Sequence, residues 1–212
     1  MATDNPAKLL FPIGHCIGVF HNSAEPGDHS TQVRVGAAIH QLTDEQFAIW
    51  GLAHALPDRP LDEPWSRASV LTAARRAGIG RPDEVLESLL QDGLLAETPP
   101  VGDSAVDFAR QYRMVPLMLG LGNTPEEPWI YSVGMVGMPI VQLSAMAYDL
   151  YEWAHMDPNL WLACEGAAAT ALRVGIDDAL ATDPVLTLEA LLETLHIMLS
   201  HNAICLDSGT ET

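Results

Sequence analysis

The hydrophobic pattern of the chain repeats itself. Val35 to His54 reads VGAAIHQLTDEQFAIWGLAH, and Val136 to His155 reads VGMPIVQLSAMAYDLYEWAH, at a constant offset of 101 residues. Val, Gly, Ile, Gln, Leu, Ala and His recur at matching places, as in Gly36/Gly137 and Gln41/Gln142. Each segment predicts a short apolar strand, a hydroxyl N-cap (Thr43 or Ser144) and then an amphipathic helix. Thr43 with Gln46 has the spacing of a capping box. Weaker similarity extends upstream, Phe11-Pro12-Ile13 against Val115-Pro116-Leu117, and downstream, Leu86–Leu90 against Leu188–Leu192.

Each copy predicts the order β-β-α-α-α-β. Helices are expected near 44–56, 67–77 and 82–92, and near 145–155, 160–173 and 186–200. Pro82 suits a first helical position and Gly93 a helix stop. Leu188, Leu191, Leu192, Leu195, Met198 and Leu199 form one apolar stripe. The expected fold class is α+β: two tandem winged-helix-like repeats, 9–98 and 110–207, joined by a linker at 99–109 and packed as an intramolecular pseudo-dimer. Trp50 and Tyr151, at equivalent first-helix positions, are expected in the core. Trp65, Trp129 and Trp161 are candidate contact anchors.

The run Gln41-Leu42-Thr43-Asp44…Ile49-Trp50, a weak second helix, and Glu84-Val85-Leu86…Leu89-Leu90-Gln91-Asp92-Gly93-Leu94-Leu95 carry a family resemblance. Residues 33–97 resemble the small winged-helix peptide chaperone of pyrroloquinoline quinone biosynthesis. More broadly, they resemble the precursor-recognition elements of modified-peptide pathways. The resemblance implies a leading antiparallel sheet, three helices, and a precursor peptide added as an extra strand along the third helix. The strand 33–41 and the third helix would line the groove, through Val33, Val35, Ala37, Ile39, Val85 and Leu89. The chain departs from that family in carrying two copies and several strand glycines. Winged-helix transcription factors share much of the same pattern.

Charge narrows the partners. The 212 residues include 28 acidic and 10 basic side chains, a net charge of −18. Such a field repels phosphate backbones and anionic lipid. Residues 1–106 hold 14 acids and 7 bases; residues 107–212 hold 14 and 3. The helices that would enter a DNA groove carry Asp83, Glu84 and Glu87, or Glu189 and Glu193. Arg67, Arg75, Arg76 and Arg81 are the one basic cluster, expected to pair with Glu63, Asp83 and Glu84 on a solvated face. Pro128 to Tyr148 lacks any charge and is long enough to span a bilayer. Its Gly, Pro, Gln and Ser residues and its place in the repeat read instead as strand and cap.

Catalytic groupings are missing. His15, Cys16, His21 and His29 lie in one region, and His196, His201 and Cys205 in another, without the short paired spacing of zinc ligands. No nucleophile elbow or phosphate-binding glycine loop occurs. Gly14-x-x-x-Gly18 and Gly120-x-Gly122 lie in apolar strands, as bulges or close backbone approaches. Three scattered cysteines and an N-terminus without a signal-peptide pattern point to a cytoplasmic protein with free thiols. No metal or cofactor is expected. The first reading is a non-catalytic module that binds a peptide or protein partner by strand addition, as a monomer or a homodimer. A winged-helix DNA-binding regulator and an enzyme subunit with its site at the repeat interface are the alternatives.

Overall fold

Leu9-Leu10-Phe11-Pro12 is apolar at every position, the pattern of a strand covered on both faces. Strand β1 (Leu9–Pro12) is buried along its whole length. The computed structural model describes residues 7–21, 23, 29–60 and 63–209. Alternation along a strand sends neighbours to opposite sides. Leu10 enters a core with Val33, Ile49, Trp50, Leu86 and Leu89. Leu9, Phe11 and Ile13 enter a second core, with Phe108, Met114, Leu191 and Leu195. One strand thus belongs to both halves of the molecule.

The fold is mixed α+β. In the first half, β2 (His15–His21), β3 (His29–Val35) and β4 (Ala38–Leu42) form an antiparallel sheet in that order. Helices α1 (Asp44–Leu52), α2 (Arg67–Arg76) and α3 (Pro82–Gln91) follow, and β5 (Leu95–Thr98) returns antiparallel to β1. Helix α4 (Asp103–Gln111) leads into the second half. There β7 (Leu119–Gly122), β8 (Tyr131–Met135) and β9 (Met138–Leu143) form the sheet. Helices α5 (Ala145–Trp153), α6 (Leu160–Arg173), the short α7 (Ala179–Thr182) and α8 (Pro184–Ser200) come next. Strand β10 (Ile204–Ser208) then pairs with β6 (Tyr112–Pro116).

Local signals behave as read. Thr43 and Gln46 bond each other's backbone N–H at the start of α1, and Ser144 caps α5 by accepting from Ala147 N–H. Pro82 opens α3, and Gly93 follows it at φ +70°. Trp50 Nε1 donates to Ile13 O at 3.0 Å; Tyr151 Oη donates to Met118 O at 2.6 Å and accepts from Met118 N–H. Both aromatics therefore anchor the first helix of their half to the turn between its first two strands.

Two expectations need correcting. Each half has four strands before its helices, because Gly14 breaks the first apolar run and Gly36-Ala37 turns the segment 33–41 into a hairpin. Seven of the residues expected as linker, Asp103 to Ala109, lie in helix α4, which runs on to Gln111 and buries Ala105, Phe108 and Ala109 in the second core at i, i+3, i+4 spacing. The uncharged stretch 128–148 becomes β8, β9 and the start of α5. No helix among the described residues is long and apolar enough to cross a membrane.

The gapless repeat also slips by one residue. Val35 pairs with Ala38 across Gly36-Ala37, and Met135 pairs with Met138 across Val136-Gly137. The matched glycines thus occupy the first and the second loop position, each with positive φ. A register shift at Val133/Gly134 restores the alignment. Side-chain room is lacking there: a Cβ on Gly134 would lie 2.9 Å from Ile140 N.

The halves meet through polar contacts as well. His196 is buried; its Nε2–H donates to Leu10 O at 2.9 Å, and its ring stacks on Phe11 at 4.5 Å. Gly14 N–H donates to Leu206 O, and Gly36 N–H to Asp207 Oδ1, both at 2.6 Å. Burial pulls His196 down to about 3, against the opposing effect of the Leu10 carbonyl and with help from Arg59 and His54. Burial likewise pulls His54 down to about 4, although its Nδ1 bonds Trp50 O.

Both histidines fold neutral, so between pH 6.5 and those values the unfolded chain binds more protons. Stability should therefore be full above pH 6.5 and fall as the pH drops, by about 2 kcal/mol per histidine at pH 5. Urea midpoints at pH 7.5 and pH 5 check this; His196→Gln should flatten the dependence. Tyr151→Phe should cost about 1–3 kcal/mol by leaving Met118 N–H without its partner, read from the same midpoints.

Candidate polypeptide-docking edge

A two-residue hairpin fixes which backbone groups face outward. The residues flanking the loop, Val35 and Ala38, exchange hydrogen bonds, and pairs alternate from there. Along β4, Ala38 and His40 therefore bond to β3, while Ile39 and Gln41 turn their N–H and C=O away from it. Strand β4 is the regular edge of its sheet; the opposite edge, β2, is broken by a bulge at Cys16/Gly18. Ile39 is 58% exposed, and Gln41 is exposed beside it. Ile39 lies opposite Arg34 on the outer face, and His40 lies opposite Val33 on the helix side. Below that edge α1 presents Phe47, half-buried and stacked on Trp50 at 5.9 Å.

The second half differs at the corresponding place. Pro139 lies opposite Gly134, one residue after the flanking pair Met135/Met138, and so occupies the position of Ile39. It has no N–H to offer, and proline at an outward position is a known way to close a sheet edge. One half offers an open edge; the other has it blunted.

The six expected groove residues do not form one surface. Val33 and Leu89 are fully buried in the first core. Val35 and Val85 are half-buried against it, and Val35 also touches the second core. Ala37 is exposed in the turn. Ile39 alone combines an outward backbone with an accessible apolar side chain. The sequence reading missed Gln41 and the contrast with Pro139; a proline just past a glycine turn in one repeat only was the available signal.

Other candidates resolve into structural roles. Arg67 pairs with Glu87 and Glu97 at 3.0 Å, Arg75 with Asp83 at 2.8 Å, and Arg81 with Glu84 at 3.1 Å. Glu63 instead uses its carbonyl toward Arg59. The thiols of Cys164 and Cys205 are buried, which pushes them up to about 12 and about 11, so neither is a nucleophile at neutral pH. His201 caps its helix by bonding Ile197 O. Among the described residues no three His, Cys, Asp or Glu side chains gather as metal ligands. Trp65 is buried, with Nε1 donating to Leu52 O, and Trp161 is half-buried under Arg110; Trp129 is exposed.

The chain matches no family model, no curated protein and no solved structure.

Outward and inward positions respond differently to proline. Ile39→Pro removes no ladder bond and should shift stability by less than about 1 kcal/mol. Val35→Pro removes a bond of the flanking pair and should cost about 1–3 kcal/mol. Denaturant unfolding of the two variants checks the assignment of β4 as an open edge.

Proposed function

We propose that this is a non-catalytic polypeptide-recognition protein that captures an extended segment as an added strand on β4. The observation that carries the reading is the open edge at Ile39 and Gln41 beside the proline-closed edge of the second half. An edge left open in one half and closed in the other is a managed feature, since bare edges invite unwanted pairing. The partner in this reading is a precursor (leader) peptide or a partner enzyme of a modified-peptide pathway, in keeping with the resemblance of residues 33–97. The protein acts in the cytoplasm, with its three cysteines as free thiols.

We further infer that the halves descend from one duplicated winged-helix-like unit and form an intramolecular pseudo-dimer. Supporting this are the shared strand-and-helix order, the matching pairs β1–β5 and β6–β10, the equivalent caps Thr43 and Ser144, and the bulges at Cys16/Gly18 and Gly120/Gly122. The DNA-binding alternative loses support because Arg67, Arg75 and Arg81 already pair with carboxylates. The buried Cys205 thiol, pushed up to about 11, offers the enzyme-subunit alternative no nucleophile at neutral pH.

Affinity capture from the native host, followed by mass spectrometry, tests the reading. Wild-type protein should retain a polypeptide that folded Ile39→Pro loses. A partner kept by Ile39→Pro would count against strand addition at β4. A mobility shift of random duplex at low salt, where nonspecific affinity is greatest, would favour the regulator instead.

A further inference from the structure

His21 and His29 are well separated along the chain, and strand pairing brings them together. Strands β2 and β3 place them directly opposite each other, at the end of the first sheet away from the Gly36 turn. Continuing the β3–β4 register past Thr31↔Leu42 brings Asp44, the first residue of α1, level with His29. The three side chains therefore form one row across β2, β3 and the start of α1. The ring centres of His21 and His29 are 5.7 Å apart, and His29 Nε2 lies 3.4 Å from Asp44 Oδ1. All three residues are exposed. We propose that this row is a binding site for a zinc-class divalent cation.

The geometry favours a metal ion over a plain ion pair. The approach of His29 to Asp44 is too long for a good hydrogen bond. It matches instead the edge of a zinc coordination tetrahedron, about 3.4 Å when each donor atom lies about 2.0–2.2 Å from the ion. Two imidazoles on such an ion hold their ring centres about 5 Å apart, close to the spacing of His21 and His29. The three donors do not already converge on one point; a turn of the exposed His21 side chain brings its ring nitrogen in. Two imidazoles and a carboxylate are a zinc donor set, with water free to take the fourth place. The net charge of −18 draws cations to the surface. A bound ion would tie the β2–β3 hairpin to the start of α1. This site is separate from the strand capture proposed at β4, and neither reading needs the other.

Isothermal titration calorimetry of the full chain with zinc chloride tests it. At about 100 μM zinc the wild type should bind one equivalent. His21→Asn and His29→Asn should each weaken that binding about tenfold or more, and Asp44→Asn by a smaller factor. Without zinc all three variants should melt like the wild type, since the side chains are exposed. Zinc should raise the melting temperature of the wild type more than that of any of the three. His40→Asn, on the neighbouring strand, should bind zinc as the wild type does. A wild type that takes up no zinc at that concentration overturns the proposal. So does binding that survives His29→Asn unchanged, or binding that His40→Asn abolishes, because either result puts the ion elsewhere on the surface.

Discussion

The two-sided burial of β1 is the constraint on which the architecture rests. Leu10 faces one core while Leu9, Phe11 and Ile13 face the other. Burying each large apolar side chain contributes about 1.5–3 kcal/mol. Three such residues at the seam amount to a large share of the roughly 5–15 kcal/mol that keeps a domain folded. Pulling the halves apart would expose all three and strand the His196 bond to Leu10 O. The halves are therefore recognisable as units of sequence and yet not independent as units of stability.

That union leaves the two halves unequal, and the inequality is where function can reside. The first half spends its hairpin tip on the seam and keeps the edge of β4 open. The second half closes its edge with Pro139 and leaves its tip bare. Neither difference changes the order of elements. The difference at the edge comes from one residue, Pro139 in the place of Ile39, where backbone groups meet solvent.

Charge acts on a different scale from these contacts. Arg67, Arg75 and Arg81 are matched locally by carboxylates, so they add little net field on their own face. The remaining acidic excess lies over the rest of the surface and opposes anionic partners at a distance.

Helices, caps and the core positions of Trp50 and Tyr151 could be read from the chain, because their signals lie within a few residues of each other. Helix α4 was overlooked although Ala105, Phe108 and Ala109 carried helical spacing, since nearby Pro99, Pro100 and Gly102 read as linker. The groove was misjudged at Val33 and Leu89 because alternation gives the face of a residue and not what covers that face. By itself the sequence determined the order of elements, their ends and their apolar sides, all set by local sterics and periodicity. Only the tertiary structure decided that β1 serves both cores, that β4 pairs with β3 alone among the described residues, and that one hairpin tip is docked while the other is exposed. Those facts depend on which segments, distant along the chain, come to lie against each other.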